Sequence, residues 1–518
     1  MMAAGAAMAA GAAMSRADVV IIGSGMGGAT MAWALAPTGA RILILEKGHQ
    51  LPAIPENRDA RAIFQRGHFR PKEFWYGSDG VGFNPGNYYN HGGNSKFYGA
   101  VLMRYRAADF DGIAHADGDA PAWPFRYAEL APWYDAAEQL YQVRGALAQD
   151  PTEPAHGAPY PHAPVPDERP VADVRARLIK AGLHPFSLPL GVDIERWLGH
   201  AATPWDAFPD ARSGKMDAET CALLPALEHP NVTLASGAEV RRLIPAPDGR
   251  RIQAVEYEQD GALYRVEADT VVLAAGAVRS AAILLASGDT GIANRSDAVG
   301  RHFMNHNLSA LIGVDPRFRN DSVYQKTFGL NDFYLGDGRG GPPLGNIQLL
   351  GRVSGAILKS DLKRLPEWLL HGISRHTIDF LAMSEDLPDP NSRVRLDGTR
   401  IVLDWQRSNM TAHRGLVARF RTVLREAGFP LVLTHLFDRR TPSHQCGTVR
   451  LGDDPAKAPL DPMGRAFDHP NLYVTDAGTL VTSAAVNPSL TVAAIALRAA
   501  DTIKRNLGGA QAAPAQPA

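Results

Sequence analysis

The stretch Gly23-Ser24-Gly25-Met26-Gly27-Gly28 constrains this chain most, because of what stands on either side of it. Asp18 to Ile22 reads DVVII, a short apolar, β-branched run suited to a buried parallel strand. After the glycines comes ATMAWALA, a helix pattern, and then a second apolar strand, Arg41 to Leu45, ending in Glu46. Gly23 permits a tight turn, Gly25 lets a pyrophosphate approach the backbone beside Met26, and Gly28 lets helix and strand pack closely. The helix start offers unpaired N–H groups and a positive dipole end to phosphates. Glu46, 23 positions after Gly23, stands where an acid binds ribose hydroxyls. These features select a dinucleotide with a free adenosine ribose, FAD or NAD rather than NADP.

Further signals lie well down the chain. A simple NAD dehydrogenase would continue at once with more βα repeats. Here the chain enters a Gly-, Tyr- and Asn-rich loop, Tyr76 to Tyr98, containing His91-Gly92-Gly93-Asn94-Ser95. A loop of that length is functional more often than merely connecting. Pro230 to Leu234 reads as a strand, followed by GAEVRRL and a pair of alternating strands (RIQAVEYEQDGALYRVEA). Asp269 to Ala277 is an apolar strand ending in small residues, Ala275 and Gly276 among them, and Ser280 to Ser287 is a helix closed by Gly288. Near the C-terminus, NLYVTDAG is a strand ending at Asp476 and Ala477, and Asn487-Pro488 precede a long Ala-rich helix, Val492 to Arg505. A second glycine-ended strand returning to the first nucleotide unit is what a flavoprotein needs to close over its ADP half.

Composition narrows the partners. Lys+Arg 53 against Asp+Glu 54 leaves a net charge of −1, so no global field draws nucleic acid or an anionic membrane. Cys221 and Cys446 are the two cysteines, too few for a disulfide framework or for a cluster held by this chain's thiolates alone. No metal site is expected. The opening MMAAGAAMAAGAAM lacks a basic n-region, and no run reaches the ~20 apolar residues of a membrane span. The cytoplasm is the expected compartment.

These motifs together resemble the glucose–methanol–choline (GMC) oxidoreductase family from Asp18 to about Leu507. The resemblance rests on GAVRSAAILLASG (276–288), VGRHFMNH (299–306), and the set His444-Gln445-Cys446-Gly447-Thr448, NLYVTDAG and NPSLT. It implies an α/β fold, α+β overall: a Rossmann-like FAD-binding domain and a substrate domain built on an antiparallel sheet. The FAD-binding domain is expected at 18–165, 215–301 and 441–507, and the substrate domain at 166–214 and 302–440. Disordered segments are expected at 1–17 and 508–518. By resemblance, Gly23, Gly25, Gly28 and Glu46 bind the ADP portion of FAD and the Val240 backbone meets the adenine. Gly93, Asn94 and Ser95 line the pyrophosphate and flavin region. Asp476 and Ala477 hold the ribityl–pyrophosphate part, with Asn487 and Pro488 near the isoalloxazine. Phe97 stands where some relatives carry a histidine joined to the flavin, which implies non-covalent FAD. Tyr98 and the stretch Trp123-Pro124-Phe125 are similar to the pyranose-oxidase branch and lean the substrate toward sugars or polyols.

The chemistry implied is oxidation of a CH–OH group, which loses a hydroxyl proton and a hydride from one carbon. Histidine suits the base because it is mostly neutral at pH 7. Asparagine donates a hydrogen bond without competing for the proton. His444 and Asn487 fit those roles, with Asn487 also readable as a helix N-cap. His435 reads as structural or substrate-binding. Met383 to Asp386 and Ser392 to Val394 read as substrate-domain strand and turn, with no case for chemistry. The electron acceptor is oxygen, a quinone or a partner protein. A redox-silent FAD-containing lyase of the hydroxynitrile type is the alternative, and an NAD-linked enzyme is disfavoured by the C-terminal motifs.

Overall fold

The computed structural model describes residues 15–440 and 444–511. Its first sheet runs in the order Val232–Ser236, Ile42–Glu46, Arg16–Ile22, Ala262–Leu273, Ile252–Gln259, Glu239–Pro245, with Leu472–Val474 added beside Ala262–Leu273. The strands nearest the glycine turn are parallel and lose both faces to the core, which is why they read as unbroken β-branched runs. Ala262–Leu273 is one 12-residue strand. Its first half pairs antiparallel with Ile252–Gln259 and its last three residues pair parallel with Leu472–Val474. The hairpin and the returning strand expected separately are therefore one continuous element. Strand order reverses between Arg16–Ile22 and Ala262–Leu273, so a crevice opens at their carboxyl ends. Helices Met26–Leu35, Tyr127–Leu140 and Ser489–Gln511 pack together against this sheet.

The second sheet runs Leu431–Leu436, Asn307–Val314, Thr377–Ser384, Asn346–Leu349, Phe328–Leu330, Phe186–Ser187, antiparallel throughout. Helices Arg169–Lys180 and Met410–Glu426 cover one face, where Ile347, Leu349, Ile378 and Phe380 share an apolar core with Leu178, Leu416 and Phe420.

Several boundaries differ from the sequence reading. Arg16 and Ala17, assigned to the leader, pair with Glu267 and Ala268. The last helix begins at Ser489 and extends to Gln511, past the expected start of the tail at 508. Residues 1–14 of the leader and 512–518 of the tail lie outside the described residues. Among the described residues no helix is long and apolar enough to cross a membrane.

Candidate active site

The glycine turn shapes a cradle. A Cβ built on Gly27 would lie 1.8 Å from the Thr475 carbonyl oxygen, and one on Gly28 would lie 2.0 Å from that of Gly23. Gly27, not singled out from sequence, thus shares the close-packing role given to Gly28. A Cβ on Gly25 would meet nothing within 4 Å. Gly25 faces open space at the start of helix Met26–Leu35, whose N-terminus carries no side-chain cap and no acid in its first turn. An uncapped helix start above a side-chain-free concavity fits a pyrophosphate. Loop Gly93–Lys96 crosses over it, a Cβ on Gly93 falling 3.3 Å from the Gly25 Cα. Asn94 and Ser95 hold that loop in shape: Asn94 Oδ1 accepts from the Tyr88 N–H at 2.8 Å, and Ser95 Oγ donates to the Gly92 carbonyl at 2.6 Å.

The remaining cradle residues line the same sheet edge. Val240 follows Ala238, whose N–H donates to the Glu46 carbonyl at 2.9 Å, so Val240 and Glu46 sit at one end. Ala275 and Gly276 follow Ala274, whose carbonyl lies against Gly23. Two predicted acids are engaged by the protein itself. Glu46 accepts from the Ser24 N–H at 2.9 Å, the Ser24 hydroxyl at 2.7 Å and the Gly48 N–H at 2.8 Å. Asp476 accepts from the Gly276 N–H at 3.0 Å, the Gly478 N–H at 2.7 Å and the Ser280 hydroxyl, tying its own turn to the start of helix Ala277–Leu285. Its burial raises the carboxyl above its ordinary value.

His444 is carried from that edge toward the second sheet. The Gly447 N–H donates to the Ala477 carbonyl at 3.1 Å, and Cys446 exchanges backbone hydrogen bonds with Met304 at 2.9 and 3.0 Å. A Cβ on Gly447 would lie 2.4 Å from the His302 carbonyl, so glycine is required where the two segments cross. His444 itself takes φ 64, a left-handed conformation costly for a non-glycine residue.

Four side chains then connect in series. His306 Nε2 lies 2.9 and 2.8 Å from the carbonyl oxygens of Ser483 and Ala484. His306 Nδ1 and His444 Nδ1 are 2.7 Å apart, with the rings nearly perpendicular. Asn487 Nδ2 is 3.3 Å from His444 Nε2, and Gln348 Nε2 is 3.3 Å from Asn487 Oδ1. Two carbonyls can only accept, so His306 Nε2 carries a proton and neutral His306 presents a lone pair at Nδ1. His444 therefore donates from Nδ1 and keeps the Nε2 lone pair. Enclosure, followed by the neighbouring His306 and Lys326, holds His444 well below the ordinary histidine value, and burial takes His306 down to about 4. Both rings are neutral at pH 7, and His444 Nε2 is available as a base.

Asn487 precedes Pro488, which comes immediately before helix Ser489–Gln511, and its side-chain bonds go to His444 and Gln348 rather than to a helix N–H. The capping reading of Asn487 does not fit this position. His435 lies on the exposed edge strand Leu431–Leu436, paired with Ala310 and with its ring against Phe437. Sequence reasoning quoted His306 without giving it a role, and passed over Gln348 entirely. It also set aside Glu385 and Asp386, which brace the site: Glu385 Oε1 accepts from the Ala484 N–H at 3.1 Å, and Asp386 Oδ2 from the Asn305 N–H at 2.9 Å. Trp123 donates to Thr482 Oγ1 at 3.0 Å and buttresses the 482–487 segment from behind. Asp135, Glu138 and His156 lie at metal-ligand spacing, but the Arg104 guanidinium bonds both acids at 2.6 Å.

Comparison with known proteins adds context. The family model described as GMC oxidoreductase matches residues 200–308 and again, for its C-terminal part, 388–496. A model for an NAD(P)-binding Rossmann-like domain matches 21–67. The 6'''-hydroxyparomomycin C oxidase of Streptomyces lividus is 29% identical, over 96% of this chain and 93% of its own. Pyridoxine 4-oxidase from Mesorbium loti shares the fold with a TM-score of 0.68 at 20% identity, covering 95% of this chain and 99% of that one. An R554K variant of Aspergillus oryzae RIB40 formate oxidase, studied for FAD modification, superposes with a TM-score of 0.65 at 16% identity, covering 96% and 99%.

Proposed function

The chain belongs to the GMC oxidoreductase family, and on that premise we propose that it oxidises a CH–OH group with FAD, using His444 as base and Asn487 as alkoxide stabiliser. Enzymes of this kind act on alcohol and sugar donors. The observation that carries the residue assignment is the His306–His444–Asn487 series, whose hydrogen-bond direction leaves a lone pair on His444 Nε2 and an N–H of Asn487 beside it.

FAD fits the cradle by the open concavity at Gly25 and the uncapped helix start. Glu46 and Val240 would face its adenosine end, and Asp476, Ala477 and Pro488 its flavin end. Bound there, FAD supplies the hydride acceptor. The protein does the rest. His444 Nε2 takes the hydroxyl proton as the hydride leaves, and Asn487 Nδ2 holds the substrate oxygen while it carries negative charge. Neutral His306 keeps His444 in the reactive tautomer. His306 is buried, while His444 and Asn487 keep part of their surface exposed toward the substrate side.

The attachment of FAD is non-covalent in this reading. Phe97, at the position of a linking histidine, has no nucleophile, and its ring stacks on Tyr88 with centroids 3.7 Å apart. Acid denaturation should release all the yellow colour into the supernatant. The nucleotide-binding role goes to the first sheet and its helices, and substrate binding to the second. Sugars and polyols are the proposed substrates. Two cysteines that form no disulfide suit a reducing cytoplasm.

The test is an anaerobic spectrum of the holoenzyme with an alcohol and sugar panel. Bleaching of the flavin band by a panel member supports oxidation. Cleavage of substrate with the flavin still oxidised would instead return the lyase. Reoxidation by oxygen, a quinone and an artificial dye, run in parallel, assigns the acceptor.

A further inference from the structure

Helices Gly355–Asp361 and Glu367–Ser374 form a hairpin inserted between strands Asn346–Leu349 and Thr377–Ser384 of the second sheet. The two helices pack on each other, and the first of them packs on Arg61–Gln65. The Gln65 amide donates to the Ala356 carbonyl at 2.8 Å, and the Arg61 guanidinium pairs with Glu367 at 2.8 Å. These contacts seat the base of the hairpin. Its tip is different. Leu362, Leu365, Trp368 and Leu369 are all exposed, Trp368 over 75% of its surface. A folded chain routinely leaves single leucines in water, but not four large apolar side chains so close in sequence. The Lys359 ammonium donates to the carbonyls of Lys363 and Leu365 at 2.7 and 2.8 Å, which fixes the turn that holds Leu362 and Leu365 outward.

Charge at the tip has one sign. Lys363 and Arg364 stand between the exposed leucines and form no ion pair among the described residues. With Lys359, Arg375 and the underlying Arg61 they outnumber the two carboxylates of the hairpin, Asp361 and Glu367, and Glu367 is already held by Arg61. The chain's net charge of −1 conceals this local excess. A second copy of the chain is a poor occupant for such a surface. Two-fold pairing would set Lys363 and Arg364 against the same residues of the other copy, like charge on like charge. Four side chains also fall well short of the roughly 800 Å² per partner that a stable protein interface buries. An anionic bilayer meets every feature at once. Leucines enter the acyl boundary, an indole settles at headgroup level, and lysine and arginine reach the lipid phosphates.

We infer that the tip of this hairpin, residues 362–369, seats on the surface of an anionic phospholipid bilayer and attaches the enzyme to it peripherally. Leu362, Leu365, Trp368 and Leu369 supply the apolar contact, and Lys363 and Arg364 supply the attraction to acidic headgroups. The attachment crosses no bilayer and is reversible, because an interfacial patch of this size binds far more weakly than a spanning helix. It holds whatever alcohol the enzyme oxidises, and it does not rest on the roles given to His444 and Asn487.

The experiment is co-sedimentation of the full-length, FAD-loaded protein with vesicles of phosphatidylcholine alone and of phosphatidylcholine mixed with phosphatidylglycerol. The parent should partition onto the mixed vesicles about 25-fold more strongly, about fivefold for each of Lys363 and Arg364, and the difference should shrink as salt is raised. Lys363→Gln with Arg364→Gln should remove that preference. Leu365→Ser with Trp368→Ser should weaken binding to the mixed vesicles by about tenfold or more. Both variants change exposed side chains remote in sequence from the reacting groups, so FAD content should match the parent and show that the fold is intact. A parent that stays in the supernatant, or that binds both vesicle types equally, overturns the inference without any variant. So does a serine variant that binds as the parent does. Sedimentation without lipid covers the remaining occupant: a parent dimer that the serine variant dissolves would assign the tip to a second copy and overturn the inference.

Discussion

Replacing His306 by leucine should disable the base without touching it. In the parent, His306 Nδ1 accepts the His444 Nδ1–H at 2.7 Å, and His306 Nε2 donates to Ser483 and Ala484 at 2.9 and 2.8 Å. Ser483 keeps a donor in the Tyr105 hydroxyl at 2.9 Å and Ala484 keeps one in the Ser483 hydroxyl at 3.3 Å, so the leucine leaves one group stranded, the His444 N–H. The local cost is about 1–3 kcal/mol. His444 can escape it by moving the proton to Nε2, which removes the lone pair from the substrate side. A hydrogen bond worth about 1.4 kcal/mol shifts that tautomer ratio about tenfold, and full loss of general-base catalysis lowers turnover by roughly 10²–10⁴. Stopped-flow flavin reduction, with FAD content measured alongside, is the assay. The reduction rate should drop by at least ~10-fold in protein that still holds its FAD. His306→Gln, whose amide oxygen can accept the same N–H, should recover part of the loss. Flavin reduction in His306→Leu within about threefold of the parent, at full FAD content, would refute the tautomer argument.

Because enclosure holds His444 well below the ordinary histidine value, the acid limb of kcat/KM should fall below pH 6.5, and a limb centred at or above 6.5 would contradict its assignment as base. His413, buried between Ser309 and Ser384, is held down to about 4, so it is neutral in the folded state where the unfolded chain is already protonated. It contributes nothing above pH 6.5 and destabilises the fold as pH falls toward 4, so the stability of His413→Gln relative to the parent should improve by up to about 3 kcal/mol between pH 7 and pH 4. Chemical denaturation at both pH values checks this, and a pH-independent difference refutes it. Gly25→Ala and Gly27→Ala should separate cofactor affinity from folding: the first adds a methyl to open space, the second drives one to 1.8 Å from a carbonyl oxygen. Gly25→Ala should yield stable apoprotein with weakened FAD binding, and Gly27→Ala should lose stability even without FAD, as apoprotein melting will show.

The nucleotide half was readable because its physics is local. A β-branched run, a glycine turn and a helix follow one another within Asp18 to Leu35, and each residue's role depends on its immediate neighbours. His444 and Asn487 were legible through a motif, although their contact spans 43 positions. His306 and Gln348 were not legible. Their partners lie 138 and 139 positions away, and nothing in the local periodicity says which face of a crossover or buried strand meets them. One local signal for Gln348 did exist, amides alternating with apolar residues along Asn346–Leu349. Glu46 and Asp476 show the opposite limit. Their positions were anticipated, but the protein N–H groups that engage their carboxylates are visible only in three dimensions.

The pair of carbonyls behind His306 also sets the traffic of protons. With its Nε2–H pinned between Ser483 and Ala484, His306 cannot pass a proton onward into the interior. The imidazole of His444 is a cul-de-sac: what enters at Nε2 must leave at Nε2. The base therefore recovers only when its outer face is vacated, so its resetting is timed by departure of the carbonyl product. A solvent isotope effect should accordingly appear twice, in flavin reduction, where His444 takes the hydroxyl proton, and again in multiple-turnover experiments, at or after product release.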